Sequence, residues 1–246
     1  MFLPIMVAVI FQIGRRLMFI SRCLLAAAIG TATLACLYWS GSKAGWIVAL
    51  LITLVALFHL KISTKAKMLL VATVLATGMA GFFLTHANYF ERGATSLGAR
   101  FDYWRAALKI ASDHPLLGTG PGTFSIPYQK MKSPEAEMAR LTHNDYLEQA
   151  SDSGFIGFLA YFAFICGVLI YLYRYRLKQS PNLNLMQFGI WIGLLGLTLH
   201  SIVEFHLYIP ALAWPMFFFF GWLLSLTAST NPSTNFTSVP TVAVER

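Results

Sequence analysis

Long apolar runs separated by short polar or basic breaks make up most of the chain. About six of these runs approach the roughly 20 residues that a helix needs to cross a bilayer. A further run, 1–13, is too short to span, and we expect it to be the end of a helix that begins outside this sequence. The pattern therefore predicts an all-α polytopic membrane protein with about six transmembrane helices plus a partial N-terminal one. The predicted spans are approximately 23–39, 44–60, 68–85, 154–173, 186–203 and 207–226.

Two regions depart from this apolar pattern. A long and mostly polar segment separates the third span from the fourth, and the end of the chain is rich in Ser, Thr, Asn and Pro, which predicts disorder. The chain is therefore divided into N-terminal transmembrane helices, a long helical loop, C-terminal transmembrane helices and a tail. These four parts cover residues 1–85, 86–153, 154–227 and 228–246.

Composition supports the membrane class and argues against two others. The 246 residues are 57% hydrophobic and only 11% charged, whereas soluble domains are about 45–50% apolar. The net charge of +8 is spread over several loops instead of being gathered with interleaved aromatic residues, so we expect no nucleic-acid partner. The three cysteines, Cys23, Cys36 and Cys166, all lie in apolar runs and are interpreted as packing residues.

The short basic loops predict an orientation, because Lys and Arg in such loops stay in the cytoplasm. The long loop, the break at Ser40–Lys43 and the turn at Glu204–Pro210 then share the outer face. The basic residues on which this orientation rests are Arg15, Arg16, Arg22, Lys61, Lys65, Lys67, Arg174, Arg176 and Lys178.

An amphipathic helix is predicted at the start of the long loop. Apolar residues recur at spacings of three and four through 96–112, which favours a helix lying along the membrane surface. Arg100 falls at the edge of this apolar stripe, where its guanidinium either grips a phosphate with paired hydrogen bonds or snorkels to lipid headgroups. The stripe consists of Leu97, Phe101, Trp104, Leu108 and Ala111.

The glycine-rich segment 114–122 follows. Its glycines permit tight turns with exposed N–H groups, but it lacks the Lys-Ser/Thr ending of a nucleotide phosphate loop, and alone it is typical of a structural turn. Further on, Ser133-Pro134-Glu135 predicts a helix start, with proline at the first helical position.

A polar patch leads into the fourth span. Thr142 with Asp145 three residues later resembles a capping box and predicts a helix with His143 in its first turn. His143 either caps and packs or takes part in chemistry. If the helix continues, its small residues would let another helix or a substrate approach the histidine face. That face would contain His143, Leu147, Ala150, Gly154 and Gly157, with Asp145, Glu148 and Asp152 opposite.

The order of these features resembles the O-antigen ligase and polymerase superfamily of bacterial inner-membrane glycosyltransferases. The resemblance is carried by Ser42 in a polar break, the arginine-bearing amphipathic segment, the His-Pro-Leu-Leu-Gly-x-Gly-x-Gly stretch at 114–122, and His143-Asn144 followed after nine residues by Gly154 and after two more by Gly157. Family members commonly have about twice as many transmembrane segments, so the resemblance covers their C-terminal half.

The resemblance implies a site, a substrate and a compartment. The donor would be a glycan on undecaprenyl pyrophosphate, transferred on the periplasmic side of the inner membrane to lipid A core, another glycan or a protein, without a metal or cofactor. The family's loop histidine falls on His143 and its loop arginine on Arg100. A second arginine of the family is replaced by Lys43, after Ser42, and lysine keeps the charge but lacks the fork that binds oxygens in pairs.

These residues predict a mechanism. His143 at a helix N-terminus would have its neutral form favoured by the helix dipole and would act as the base, while Arg100, helped by Lys43, would stabilise the leaving phosphate. Further substrate contacts are expected from Ser42, Asn144 and Glu204.

Alternatives remain at the level of sequence. Glu204 with His200, four residues earlier on one helix face, and His206 would either bind a metal or form a polar wall of the site. An intramembrane serine protease would fit the length but lacks a Gly-x-Ser motif. A transporter or assembly subunit would hold the lipid pyrophosphate without turning it over. Within the superfamily, ligase, polymerase and protein O-oligosaccharyltransferase are not separated.

Overall fold

The computed structural model describes residues 2–12, 17–91, 95–177 and 184–228. Every regular element in these ranges is helical, which confirms the all-α class. A π-helical turn, Tyr173–Leu177, and a 3-10 turn, His206–Tyr208, supplement the α-helices. The α-helices are α1 Phe2–Gln12, α2 Phe19–Ser40, α3 Lys43–Phe58, α4 Thr64–Glu91, α5 Thr95–Asp113, α6 Ser125–Met131, α7 Asp145–Leu172, α8 Leu185–His200 and α9 Pro210–Ala228.

Several of these helices match a membrane in length and polarity. Three segments are long and apolar enough to cross a bilayer, namely Phe19–Ser40, Thr64–Ala87 and Asp145–Tyr175, and α1, α3, α8 and most of α9 are shorter apolar helices. The chain is thus a helical membrane protein. The total of six spans and the orientation stay predictions, and Arg15, Arg16, Lys178 and the tail from 229 onward lie outside the described residues.

Some helix ends differ from the sequence-based expectation. α4 continues to Glu91 instead of ending near 85, and α8 stops at His200 instead of 203. The segment between α8 and α9 folds as turns and includes the 3-10 turn His206–Tyr208. Pro210 then starts α9, at a position where its missing N–H costs no hydrogen bond.

The main core forms where α8 packs among α1, α3, α7 and α9. Ten of the 16 residues of α8 are buried, and its glycines allow close packing: a Cβ on Gly189 would lie 2.7 Å from the Cβ of Ala8. The short helix α1 is also tied to α8 by Gln12, whose Oε1 accepts a hydrogen bond from the N–H of Met186 at 2.8 Å. The core includes Ile165, Leu169, Ile190, Leu194 and Phe220.

The helices α2, α3 and α4 show apolar side chains to the outside. No residue of α2 or α3 is buried, and large side chains such as Leu24, Trp39 and Leu84 are exposed, as expected where lipid replaces water around a membrane helix. Cys23, Cys36 and Cys166 are free thiols; Cys23 and Cys166 are partly buried, whereas Cys36 is exposed and the prediction that it is a packing residue is wrong.

A second, smaller core organises the segment between α4 and α7. Tyr103, Ala107 and Ile110 of α5 pack against Tyr128 of α6 and against Phe124, the residue that precedes α6. The opposite side of α5 leaves Leu97, Phe101 and Leu108 exposed, which fits a helix that lies on a membrane surface, although Ala111 of the predicted stripe is buried.

The predicted helix start at Ser133-Pro134 is wrong. These residues form a turn in which the N–H of Ala136 donates to the carbonyl oxygen of Ser133 at 3.1 Å. The helix of this region, α6, begins earlier, at Ser125, because Phe124 and Tyr128 share the face that enters the small core.

Candidate active site

The N-terminus of α7 is capped by Asn144. Its Oδ1 accepts hydrogen bonds from the N–H groups of Tyr146 at 3.0 Å and Leu147 at 3.1 Å, which satisfies two donors that a helix start leaves unpaired. The predicted cap at Thr142 is therefore wrong. Thr142 is buried before the helix, where its hydroxyl donates to the carbonyl oxygen of Asn144 and its N–H donates to Oε2 of Glu148 at 2.6 Å.

His143 lies outside the helix, in the left-handed backbone region with φ 52°. This conformation is uncommon for a residue with a side chain, and it turns the imidazole away from the face of α7 on which it was predicted. The ring stacks on Tyr103 of α5 at a centroid distance of 6.0 Å and meets the edge of Phe205 at 4.7 Å. Two aromatic neighbours from different elements therefore hold the imidazole in place.

Glu204 connects His143 to Arg100. Its Oε1 lies 2.7 Å from Nη2 of Arg100, and its Oε2 lies 3.4 Å from Nδ1 of His143. All three side chains are partly shielded, with exposed fractions of 24% for Arg100, 27% for Glu204 and 34% for His143. Burial raises the pKa of Glu204, but the hydrogen bond with His143 and the charge of Arg100 outweigh it, so that the pKa lies below its usual value of 4.5.

A cavity of about 450 Å³ opens beside His143. Its volume falls within the range of about 300–1,000 Å³ that is usual for ligand sites. The wall combines a base, a cation, a phenol and apolar surface, which suits a ligand with both charged and hydroxylated parts. The lining residues are Gly122, Arg140, Leu141, His143, Phe205 and Tyr208.

Three buried carboxylates in the first turns of α7 hold the surrounding loops. Asp145 accepts from the N–H of Leu207 at 3.1 Å, which fixes the turn after α8. Glu148 fixes Thr142, the residue before His143, by accepting a hydrogen bond from its N–H. Because each loop carries part of the cavity wall, α7 is the element that positions the site.

The third carboxylate, Asp152, secures the opposite wall. Its Oδ2 accepts from the N–H of Gly122 at 2.9 Å and from the hydroxyl of Tyr208 at 2.5 Å. Burial raises the pKa of Tyr208 and the hydrogen bond to Asp152 raises it further, so the phenol stays protonated as a donor.

Backbone N–H groups of the glycine-rich segment donate hydrogen bonds to α7. Thr119 and Gly120 donate to the carbonyl oxygens of Ser151 and Asp152, both at 2.9 Å, and Gly118, Gly120 and Gly122 all have positive φ angles. The segment is therefore a structural turn packed on α7.

Gly154 breaks α7 with φ 67° and ψ −174°. A Cβ there would lie 2.6 Å from the carbonyl oxygen of Pro115. The continuous face predicted from His143 to Gly157 is thus wrong: what comes close to Gly154 is the chain's own 115–116 backbone.

The profile of the O-antigen ligase family matches residues 25–162, more than half of the chain. The matched region includes Arg100, His143 and the whole glycine-rich segment. The chain belongs to the O-antigen ligase family. This confirms the resemblance recognised in the sequence.

A curated relative of this O-antigen ligase family member is an uncharacterised protein of Haemophilus influenzae, 28% identical over 160 residues. The alignment covers 55% of this chain and 40% of the relative, so the chain spans about 40% of the length of the curated relative it matches. No solved structure matches the chain.

The other predicted site residues of this family member make local contacts. Ser42 caps α3, with its Oγ accepting from the N–H of Gly45 at 3.0 Å, and Nζ of Lys43 lies 3.5 Å from the carbonyl oxygen of Gly41. The structure thus brings His143, Arg100 and Glu204 together, with Asn144 as the adjacent cap. Substrate contacts by Ser42 and Lys43 stay predictions.

The placement of His200 and Glu204 on one helix face is wrong, because α8 ends at His200. His200 instead pairs with His206, with 2.8 Å between Nδ1 and Nε2, so these two nitrogens face each other and not a shared metal ion. Burial, and then the proximity of His200, lowers the pKa of His206 to about 4. In the described part of the chain, no group of three or more His, Cys, Asp or Glu side chains forms a metal site.

Sequence reasoning missed Arg140, Tyr103, Phe205 and Tyr208. Arg140 was open to detection, since it is a cation three residues before the candidate base. The aromatic residues carried no such signal, because their contacts with the site are made between distant segments.

Proposed function

We propose that this chain transfers a glycan from undecaprenyl pyrophosphate to an acceptor hydroxyl at the periplasmic face of the bacterial inner membrane. The observation that carries the proposal is the Arg100–Glu204–His143 array, whose histidine lines a cavity of about 450 Å³. Membership of the O-antigen ligase family supports lipid-linked glycan transfer as the general class of reaction.

His143 is the proposed general base. When Nδ1–H donates to Glu204, the other ring nitrogen, Nε2, is free to accept a proton. The hydroxyl of the acceptor loses that proton as its oxygen bonds to the anomeric carbon of the donor sugar. The bond from that carbon to the pyrophosphate oxygen breaks, and the leaving pyrophosphate takes the electron pair. The 3.4 Å distance between Nδ1 and Glu204 suits a site whose hydrogen bonds shorten with substrate bound.

Arg100 has two proposed roles. One terminal nitrogen holds Glu204 and thereby orients His143. The guanidinium carries further donors, which suit the oxygens of a phosphate group on which charge develops. Lys43 and Ser42, on the same predicted outer face, are proposed to contact the donor at a greater distance from His143.

The test is donor consumption by the full chain in liposomes that contain the lipid-linked glycan. His143→Ala should lower turnover roughly 10²–10⁴-fold because general base catalysis has that magnitude, and Arg100→Ala should also abolish transfer. His114→Ala is the matched control, since it removes an exposed histidine of the same segment. Wild-type turnover from purified His143→Ala or Arg100→Ala would refute the assignment.

A non-catalytic membrane subunit or transporter that binds the lipid-linked glycan is the second candidate. It would use the same cavity and its exposed Arg140 to hold the lipid pyrophosphate without turning it over. The same liposomes separate the two functions, because a subunit binds the donor without consuming it. Among catalytic functions, polymerase and protein O-oligosaccharyltransferase activity differ from ligase activity in the acceptor, and supplying lipid A core, glycan repeat or protein acceptors in turn distinguishes them.

A further inference from the structure

Arg140 lies on the wall of the same cavity as His143. It is exposed, in a bend just before the buried Thr142. Among the residues that the structure describes, no carboxylate or carbonyl group pairs with its guanidinium. Two other cations of this segment have carboxylate neighbours: Nη1 of Arg105 lies 3.9 Å from Asp102, and Nζ of Lys109 lies 3.1 Å from Asp113.

The other charged groups near the cavity supply little net positive charge for an anionic ligand. The charge of Arg100 is matched by Glu204 at 2.7 Å, so this ion pair adds little net positive charge to the wall. The start of α7 adds no free donors at its cap, because Asn144 accepts from the N–H groups of Tyr146 and Leu147. A pyrophosphate carries at least two negative charges, and enclosing it without a counter-charge is costly.

We propose that Arg140 binds the pyrophosphate of the lipid-linked donor and is a donor-binding residue of this site. This inference rests on the proposed function. A guanidinium offers paired N–H groups whose spacing matches two oxygens of a phosphate. Arg140 takes the pyrophosphate on the cavity side of His143, while Arg100 remains with Glu204. The sugar's anomeric carbon, next to the bound pyrophosphate, then lies within reach of a hydroxyl activated by His143.

The experiment measures binding and needs no turnover. The full chain is placed in phosphatidylcholine nanodiscs and titrated with undecaprenyl pyrophosphate, and in a second arm with phosphatidylglycerol, which offers the phosphate of an ordinary lipid headgroup. Arg140→Ala should weaken binding of undecaprenyl pyrophosphate at least tenfold, the approximate effect of losing a charge-assisted hydrogen bond. Arg140→Lys should recover part of this loss, because the charge stays and the fork is lost.

Arg105→Ala is the matched control, since it removes an exposed arginine of the same segment whose side chain does not line the cavity. It should bind the donor as the wild type does. Unfolding midpoints and monodispersity of each variant separate lost binding from lost folding.

Each outcome decides one point. Wild-type affinity in Arg140→Ala, or an equal loss in Arg105→Ala, overturns the role of Arg140 and leaves the proposed function standing. A change confined to phosphatidylglycerol also overturns it, in favour of general headgroup binding. A wild-type chain that binds no undecaprenyl pyrophosphate overturns the proposed function itself, and this is visible without any variant.

Discussion

At the scale of single residues, Glu204 connects the two candidate catalytic side chains, Arg100 and His143. It comes from the turn after α8, outside the family-matched region 25–162, yet it contacts both candidate catalytic side chains. One carboxylate oxygen lies 2.7 Å from Nη2 of Arg100 and the other lies 3.4 Å from Nδ1 of His143. Glu204 is therefore the group through which the proposed base and the proposed phosphate-binding arginine are connected.

Glu204→Gln should therefore lower turnover and stability together. Gln keeps the shape but removes the charge that faces Arg100, at a cost of about 2 kcal/mol for a charge-assisted hydrogen bond. Turnover by the liposome assay and thermal unfolding in detergent measure the two effects. An unchanged turnover would show that Glu204 does not orient the base.

The pH dependence of stability isolates the same carboxylate. The pKa of Glu204 in the folded protein lies below the usual 4.5, so its stabilising contribution is fully present above pH 4.5. It is lost as the pH falls through the lowered folded-state pKa. The difference in unfolding midpoint between the wild type and Glu204→Gln should not shrink from pH 7 to pH 5 and should shrink below pH 4.5. A difference that shrinks already between pH 7 and pH 5 would contradict the lowered pKa.

At the scale of elements, α7 combines two tasks in one helix. Its first turns are polar and hold the loops of the site, while the part after Gly154 is apolar and belongs to a membrane-spanning length. The break at Gly154 lets the backbone of Pro115 and Leu116 pass against the helix. The N–H of Phe155 uses this approach, donating to the carbonyl oxygen of Pro115 at 2.8 Å.

Gly154→Ala should destabilise the protein by at least 1–3 kcal/mol, the approximate cost of a residue held in a backbone region open essentially to glycine. It should also displace the 115–122 segment and lower turnover. Gly167→Ala is the control in the same helix, because a Cβ there meets no atom within 4 Å and alanine favours a helix. Thermal unfolding in detergent checks both variants, and equal midpoints would show that the break is not under strain.

At the scale of the whole molecule, the described helices pack around two separate hydrophobic cores. Apolar helices pack around α8, while α5 and α6 build a small separate core over the start of α7. The site lies where the second core meets the ends of α7 and α8, so its side chains are held by both. The orientation predicted from the sequence puts this cavity and the basic Lys61–Lys67 loop on opposite faces of the membrane, and this stays a prediction.

Single cysteines test that orientation in a chain whose Cys23, Cys36 and Cys166 are replaced by alanine. Glu135→Cys and Lys65→Cys both sit at exposed positions. In intact spheroplasts a membrane-impermeant maleimide should label Glu135→Cys, whereas Lys65→Cys should react only after lysis. The reverse labelling pattern would place the site in the cytoplasm and contradict the proposed compartment.

Most of the fold was open to prediction from local patterns. A helix that crosses a bilayer needs a long apolar run, and all its backbone groups must bond within that helix. Runs such as 23–39 and 154–173 therefore predict helices without any knowledge of packing. The candidate residues Arg100, His143 and Glu204 were also accessible, as charged or titratable groups beside apolar runs. Helix ends were less accessible, since Asn144 and Thr142 are both good caps and only their surroundings choose between them.

The sequence by itself determined the helical membrane class, the family and the identity of the candidate base. Tertiary structure alone decided how these residues work together. Arg100 meets Glu204 across 104 positions and His143 meets it across 61, and no local pattern encodes contacts over such separations. The glycines show the same division: their spacing was visible in the chain, but their role in admitting the Pro115 backbone arises from packing, because it depends on which segment lies against α7.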